Sequence, residues 1–305
     1  MKQISVVVPT FNAGADITRL IAALRAQKPA PPFEIIAIDS GSSDDTRQRV
    51  LDGGGRFVEL KTPFNHGLAR DAGIAAAAGE LIFLTVQDAY PADESCLERM
   101  ARHFEDAQVA GVSSRQIPPL EGPAELRIKA ELDLRGAEMV RKTNLTEHPD
   151  YTSYSPEERV ELYRFDNVGA MLRRDVWAQI HFGPCDYAED LLWAKRALES
   201  GRTIVRDFTA PMIHAHRRTF SYEFRRGLLD ARVMDELFGY RYRLVKKLNR
   251  VKMLASHGGG ESGRGAAFKT YSAHVLSRIF YGAYRSIFRP LGLGKTMMRR
   301  WTGGI

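Results

Sequence analysis

Glu80-Leu-Ile-Phe-Leu-Thr-Val-Gln-Asp-Ala-Tyr-Pro91 is the stretch from which the fold is read. A short apolar run, Leu81–Thr85, stops abruptly at Gln87-Asp88. A run of that length bounded by turn residues reads as a buried strand, here delivering one carboxylate at its carboxyl end. Ligands of open α/β sheets gather along that edge. A carboxylate there suits a hard divalent cation, which prefers oxygen ligands. A strand followed by Asp and Pro is also an ordinary turn, so the stretch takes its meaning from its flanks.

Upstream, strand-like and helix-like segments alternate. Ile4–Val8, Glu34–Asp39, Phe57–Leu60, Leu81–Thr85 and Val109–Ser113 have strand character. Between them, Ile17–Gln27, Asp44–Leu51, Leu68–Ala78 and Asp93–Phe104 have helical spacing of apolar residues. This pattern predicts an α/β, doubly wound, mainly parallel sheet. Right-handed crossovers then gather the loops that follow the strands along one edge. After Ser114 the alternation stops. Residues 124–142 read as a charged helix and residues 143–160 as a polar loop. Arg164–Leu172 reads as a strand, and Glu189–Glu199 and Thr219–Phe238 as helices. Residues 257–265 read as a glycine-rich linker before a last helix over 266–289.

A chain of 305 residues with 44% hydrophobic and 27% charged content is an ordinary globular chain able to bury a sizeable core. Its net charge of +7 is unevenly spread. Residues 240–305 hold fourteen Lys and Arg and one acid, Glu261, which leaves 30 basic and 36 acidic residues in 1–239. The first part therefore carries about −6 and the tail about +13, and such asymmetry predicts an anionic partner for the tail. Cys96 and Cys185 have no zinc spacing and no disulfide framework, which predicts free thiols in a reducing cytosol. No signal-peptide layout and no apolar run of about 18 residues are present.

Four segments converge on the predicted ligand edge: Val8-Pro-Thr-Phe-Asn12, Ile38-Asp-Ser-Gly-Ser-Ser-Asp-Asp-Thr46, Phe64-Asn-His-Gly-Leu-Ala-Arg-Asp-Ala-Gly73 and Gln87-Asp-Ala89. Small residues in the second let backbone approach a ligand, and the following helix start offers N–H groups. Alone, it is equally a capped helix start. With the late pair Glu189-Asp190, these segments resemble the family 2 glycosyltransferases of the GT-A fold over roughly residues 1–235. Asp39-Ser-Gly-Ser42, Phe64-Asn-His-Gly67, Gln87-Asp-Ala89, Phe165-Asp-Asn-Val168 and His214-Ala-His216 further resemble its rhamnosyltransferase branch, which uses dTDP-L-rhamnose.

The resemblance implies a Rossmann-like GT-A domain over 1–239, with a nucleotide-sugar half (1–114) and an acceptor half (115–239), followed by a basic helical extension over 240–305. It implies roles for single residues. Pro9, Thr10, Phe11 and Asn12 line the nucleotide-sugar pocket, with Phe11 stacking on the base. Asp39 or Ser40 meets the base imide, and Asn65, Arg70 and Gln87 belong to the same pocket. Asp88 holds a divalent metal, Mg or Mn. The first carboxylate of the usual Asp-x-Asp is replaced by Val86 or Gln87, so His214 or His216 is expected to complete the site. Asp190 is the general base, with Asn167, Glu189 and Trp193 around the acceptor. Without the other segments, Glu189-Asp190 is simply an acidic helix start favoured by the helix dipole.

The tail has its own physics. His274, Arg278 and Arg285 fall on one helical face, and Leu276, Ile279, Phe280, Ala283 and Ile287 near the opposite one. A basic amphipathic helix lies in a membrane interface, or packs its apolar face on the catalytic domain. The expected function is an inverting, metal-dependent transfer of a sugar, L-rhamnose from dTDP-L-rhamnose, to a saccharide or lipid-linked acceptor in surface polysaccharide or O-antigen synthesis. The expected location is cytoplasmic, peripheral on the inner face of the cell membrane, with no nucleic-acid partner. The rivals are a UDP-hexose donor, a nucleotidyltransferase, and a non-catalytic membrane-binding or basic nucleic-acid-binding protein. A nucleotidyltransferase usually has a Gly-rich basic loop after the first strand, which Pro9-Thr10-Phe11-Asn12 lacks.

Overall fold

The computed structural model describes residues 3–28, 33–121, 138–185, 187–214, 219–239, 273 and 275–282. The predicted alternation is present: β1 (Ile4–Thr10), α1 (Gly14–Arg25), β2 (Phe33–Asp39), α2 (Thr46–Asp52), β3 (Arg56–Glu59), α3 (His66–Ala75) and β4 (Leu81–Thr85). Then follow β5 (Tyr90–Pro91), α4 (Cys96–Arg102), β6 (Val109–Ser113), β7 (Gln116–Ile117) and β8 (Val140–Thr143). The remainder comprises α5 (Pro156–Leu162), β9 (Gly169–Arg173), α6 (Arg174–Gln179), α7 (Glu189–Glu199), β10 (Thr203–Asp207), β11 (Met212–Ile213) and α8 (Phe220–Phe238).

Eight strands form one sheet in the order β3-β2-β1-β4-β9-β6-β10-β8. It is mostly parallel, with β9 antiparallel to β4 and β6, and β8 antiparallel to β10. Both faces of β1 are buried, which is why it reads as a continuous apolar run. On one face Ile4, Val6 and Val8 join Ile17, Leu20 and Leu24 of α1 in the main core. The order of the first four strands places the ends of β1, β2 and β4 side by side, carrying the loops of the sequence motifs to one edge. A small sheet, β5-β11-β7, brings the segments after β4, β6 and β10 together.

Several expectations need correction. Val140–Thr143, expected to end a helix, is the antiparallel edge strand β8, and residues 122–137 lie outside the described residues. The strand expected from Arg164 begins only at Gly169, because Asp166 Oδ1 accepts the Val168 N–H and closes a turn. The expected loop contains α5. β10, absent from the sequence reading, is a buried inner strand. The linker expected over 257–265 lies outside the described residues.

The chain divides into two compact units: Met1–Pro119 with Gly136–Thr152 and Leu162–Ala215, and Leu120–Arg135 with Ser153–Glu161 and His216–Ile305. α8 and the residues after it fall in the second of these units. In this second unit residues 275–282 are helical and pack on α8. Arg278, expected on a solvated face, is buried: it donates to Asp230 Oδ2 at 2.6 Å and to the Gly227 carbonyl at 2.8 Å. His274, Ala283, Arg285 and Ile287 lie outside the residues described at side-chain level. Among the described residues no helix is long and apolar enough to cross a membrane.

Candidate active site

The candidate site lies wholly within the first unit, and its base is the loop after β2. Asp39, at the end of β2, is only 3% exposed. Its Oδ2 accepts the Gly41 and Ser42 N–H groups at 2.9 and 2.7 Å, and its Oδ1 accepts the Thr10 and Ser42 hydroxyls. Both oxygens take part in shaping the loop where Asp39 or Ser40 is expected to meet the base. Ser40 Oγ donates to the Thr10 carbonyl at 3.1 Å. Thr10 is buried, so its side chain is likewise part of the scaffold.

Asn12 adopts a left-handed φ of 46°. Its N–H donates to Ser42 Oγ and its Oδ1 accepts the Ser43 N–H, tying the first and second motifs together. Between them stands Phe11, 56% exposed. Gln87 does not reach into the pocket as expected: its Oε1 accepts the Phe11 N–H at 2.8 Å and its Nε2 donates to the Phe11 carbonyl at 3.2 Å. The amide thereby braces the backbone that presents the aromatic ring, beside half-buried Pro9.

α3 does a different job from the one expected. Asn65 caps it, accepting the Leu68 N–H, and the same Oδ1 accepts the Cys185 N–H at 2.9 Å. Asp71 accepts the Trp177 indole N–H and the backbone N–H groups of Phe182 and Gly183. Gly67 N–H donates to the Cys185 carbonyl, and a Cβ on Gly67 would fall 2.0 Å from the Gly183 carbonyl oxygen. Arg70 is buried and paired with Glu189 at 2.8 Å. Asn65 and Arg70, expected at the nucleotide, instead clamp the loop that leads into α7. Asp71 was not singled out from the sequence, although it stands beside Arg70 in the same motif.

That loop carries the catalytic candidate. Ala188 has a left-handed φ of 61°, a costly conformation for a residue with a Cβ. Glu189 then turns inward: 6% exposed, it accepts from Arg70 and from Asn167 Nδ2 at 3.3 Å. Burial would raise its carboxyl, but the charge and hydrogen bond of Arg70, together with the nearby His66 and a backbone hydrogen bond, hold it below the usual range. Asp190 is half-buried, and its Oδ2 accepts the Asn167 N–H at 3.3 Å. Burial, with the negative charges of Glu189 and Asp166, pushes its carboxyl up to about 8. Asn167, 2% exposed, stands behind the two carboxylates. Trp193 is fully buried, donating to the Ile180 carbonyl and packing beside Phe165 and Phe182. Its place is in the core behind the two carboxylates, without a surface of its own for an acceptor.

Asp88 and His214 come together across the small sheet, Oδ1 to Nε2 at 3.6 Å. His216 lies outside the described residues. Gln116 Nε2 donates to Asp166 Oδ2 at 2.5 Å, which turns its Oε1 to His214 Nδ1 at 2.7 Å. A carbonyl oxygen there requires Nδ1 to carry hydrogen, so in neutral His214 the Nε2 lone pair faces the Asp88 carboxylate. Two electron-rich atoms so placed fit a shared cation. Among the described residues no group of three or more His, Cys, Asp or Glu forms a metal cage. Two protein donors with substrate phosphates and water suffice for a magnesium-like ion. Asp166 belongs to the Phe165-Asp-Asn-Val168 motif, whereas Gln116 has no local signal in the sequence and only the fold brings it here.

The chain is similar in sequence and in fold to several known proteins. It is 28% identical over 232 residues to the O-antigen chain rhamnosyltransferase RfbN of Salmonella typhimurium, covering 73% of this chain and 70% of the relative. It is 30% identical over 232 residues to the O-antigen chain rhamnosyltransferase WbaN of Salmonella anatum, covering 74% and 70%. Its fold is similar to that of the mannosyltransferase PcManGT from Pyrobaculum calidifontis, solved with GDP-Man and Mn2+. The TM-score there is 0.58 at 16% identity, covering 99% of this chain and 84% of the other. The model of the family "Glycosyl transferase family 2" matches residues 5–177, more than half of the sequence, and the chain belongs to that family.

Proposed function

We propose that the protein transfers L-rhamnose from dTDP-L-rhamnose, with inversion, to a lipid-linked saccharide in O-antigen or related polysaccharide synthesis. The observation that carries the reaction is a series of polar groups in one unit, hydrogen-bonded from His214 through Gln116 to Asp166 and joined to Asn167 only through the backbone. It runs from Asp88 through His214, Gln116 and Asp166 to Asn167 and Asp190. It ties the donor pair suited to a diphosphate-bound cation to a carboxylate tuned for proton transfer. The names of the two Salmonella relatives support rhamnose as the sugar.

In the proposed reaction the acceptor hydroxyl oxygen bonds to the anomeric carbon. The bond from that carbon to the diphosphate oxygen breaks, and its electron pair leaves with the nucleotide. The acceptor proton passes to the Asp190 carboxylate. Phe11 stacks on the thymine, held in place by Gln87. Asp88 and His214 hold a divalent ion, which when bound neutralises charge on the departing diphosphate. PcManGT, whose fold is similar and which was solved with Mn2+, supports that assignment.

Thermal-shift measurements with dTDP, UDP and GDP, with and without manganese, test the donor, because bound ligand raises stability. The expected result is manganese-dependent stabilisation largest with dTDP. A larger shift with UDP would favour a UDP-hexose donor. Asp88→Ala is expected to remove the manganese dependence, since it leaves His214 as the one protein donor of the pair. Unchanged manganese dependence in that variant would place the ion elsewhere.

The raised Asp190 carboxyl sets the pH profile. Only its deprotonated form accepts the proton. The kcat/KM is therefore expected to rise about tenfold per pH unit below the inflection and level off above about 8. A profile flat from pH 6 to 9 would remove Asp190 from the role of base.

A further inference from the structure

We propose that Phe220, Leu276, Ile279 and Phe280, in the second unit, form a docking face for an anionic lipid bilayer. The inference rests on the lipid-linked acceptor proposed above and is independent of donor and sugar. Its origin is the way the helical segment 275–282 packs. Ala273, Ser277 and Tyr281 recur every fourth residue and are all buried. Tyr281 joins Leu228 and Ala231 in a small core, and its hydroxyl donates to Asp235 Oδ2 at 3.0 Å. Arg278 is locked to Asp230 beside them.

The segment therefore uses small and polar residues to pack, which leaves its most apolar side outward. Leu276 is 39% exposed, Ile279 52% and Phe280 43%. At about 100° per residue these three fall within one arc of about 100°. This inverts the arrangement expected of a helix that packs its apolar face on its own protein. Phe280 meets Phe224 of α8 edge to face at 5.3 Å. Phe220, one turn before Phe224, is itself 43% exposed. The apolar stripe thus continues from one helix to the other.

The charge of the chain decides the occupant. The segment lies within residues 240–305, where fourteen Lys and Arg accompany one acid. A basic stretch carrying an exposed apolar stripe suits the anionic headgroup interface, where charge attracts and apolar side chains enter the acyl boundary. A second copy of the chain would bring the same positive charge to the contact and repel it.

The test is vesicle flotation of the full-length chain with phosphatidylcholine alone and with added phosphatidylglycerol, at low and physiological salt. Wild type is expected to float with the anionic vesicles, losing part of its binding as salt rises. Ile279→Glu is expected to lower the partition coefficient about tenfold or more, and Ile279→Trp to raise it. Position 279 is exposed, and an unchanged circular dichroism spectrum establishes that both variants are folded. Equal binding of wild type and both variants would show attraction by charge alone and overturn the docking face. So would a lipid-free dimer that Ile279→Glu dissolves while vesicles leave wild type behind. Nucleotide-induced thermal shifts on the same three proteins report the donor reading separately, so that reading can fail while the docking face stands.

Discussion

Asp190→Asn lowers the rate of sugar transfer by about 10²-fold or more while leaving nucleotide binding intact. The amide keeps the shape of the side chain and loses the ability to take a proton, a loss of the usual size for general-base catalysis. The same variant carries an opposite effect on stability. In the folded protein the Asp190 carboxyl is raised from 3.8 to about 8. Between those values the native state holds a proton that the unfolded chain has released. Stability therefore falls as pH rises through this window. Asparagine resembles the protonated form and escapes the penalty. Urea unfolding at pH 9 is thus expected to show Asp190→Asn more stable than wild type, with the difference vanishing near pH 4. Near-normal turnover, or a loss of stability at pH 9, would refute the assignment.

The second large effect concerns the buried pair that supports this base. Arg70→Met alone leaves Glu189 buried without its cation, and Glu189→Leu alone leaves Arg70 without its anion. Breaking a buried pair from one side costs about 3–5 kcal/mol. Replacing both partners by apolar residues of similar volume costs much less. The double variant is expected to be more stable than either single one, less a remainder for Asn167 Nδ2, which loses its acceptor. Urea midpoints followed by tryptophan fluorescence measure all four proteins, and strictly additive losses would argue against a coupled pair. Glu189→Gln separates positioning from packing. It removes a negative charge beside Asp190 and leaves the Arg70 charge in place, and both changes favour the Asp190 carboxylate. The inflection in kcat/KM should move to lower pH, which loss of packing by itself would not produce.

Much of this protein is legible in its residues because the signals are local. Leu81–Thr85 and Val109–Ser113 are strands with the limits read from the sequence, since a fully buried inner strand needs a continuous apolar run. Glu189–Glu199 is likewise a helix with the expected limits. The ligand edge follows from strand order and handedness, and the candidate base and one candidate metal donor are proposed from motif order. β8 and β10 were misread or missed because short strands are defined by partners distant in sequence.

The roles of individual side chains divide along the same line. The sequence by itself determined the α/β class, the family, the edge where chemistry gathers and the charge of the tail, because composition, periodicity and motif order are properties of the chain. Tertiary structure alone decided what each polar group touches. It spent Asp39 on its own loop, turned Gln87 to brace Phe11, and buried Trp193 in the core. It set Arg70 against a glutamate far along the chain, and placed Gln116 between His214 and Asp166. A carboxylate raised to about 8 has no signature in sequence, because the shift comes from burial and from neighbouring charges that only the folded chain assembles. The outward turn of Leu276, Ile279 and Phe280 has the same origin: helical spacing defines a stripe, and the partner helix decides which side of the segment is buried.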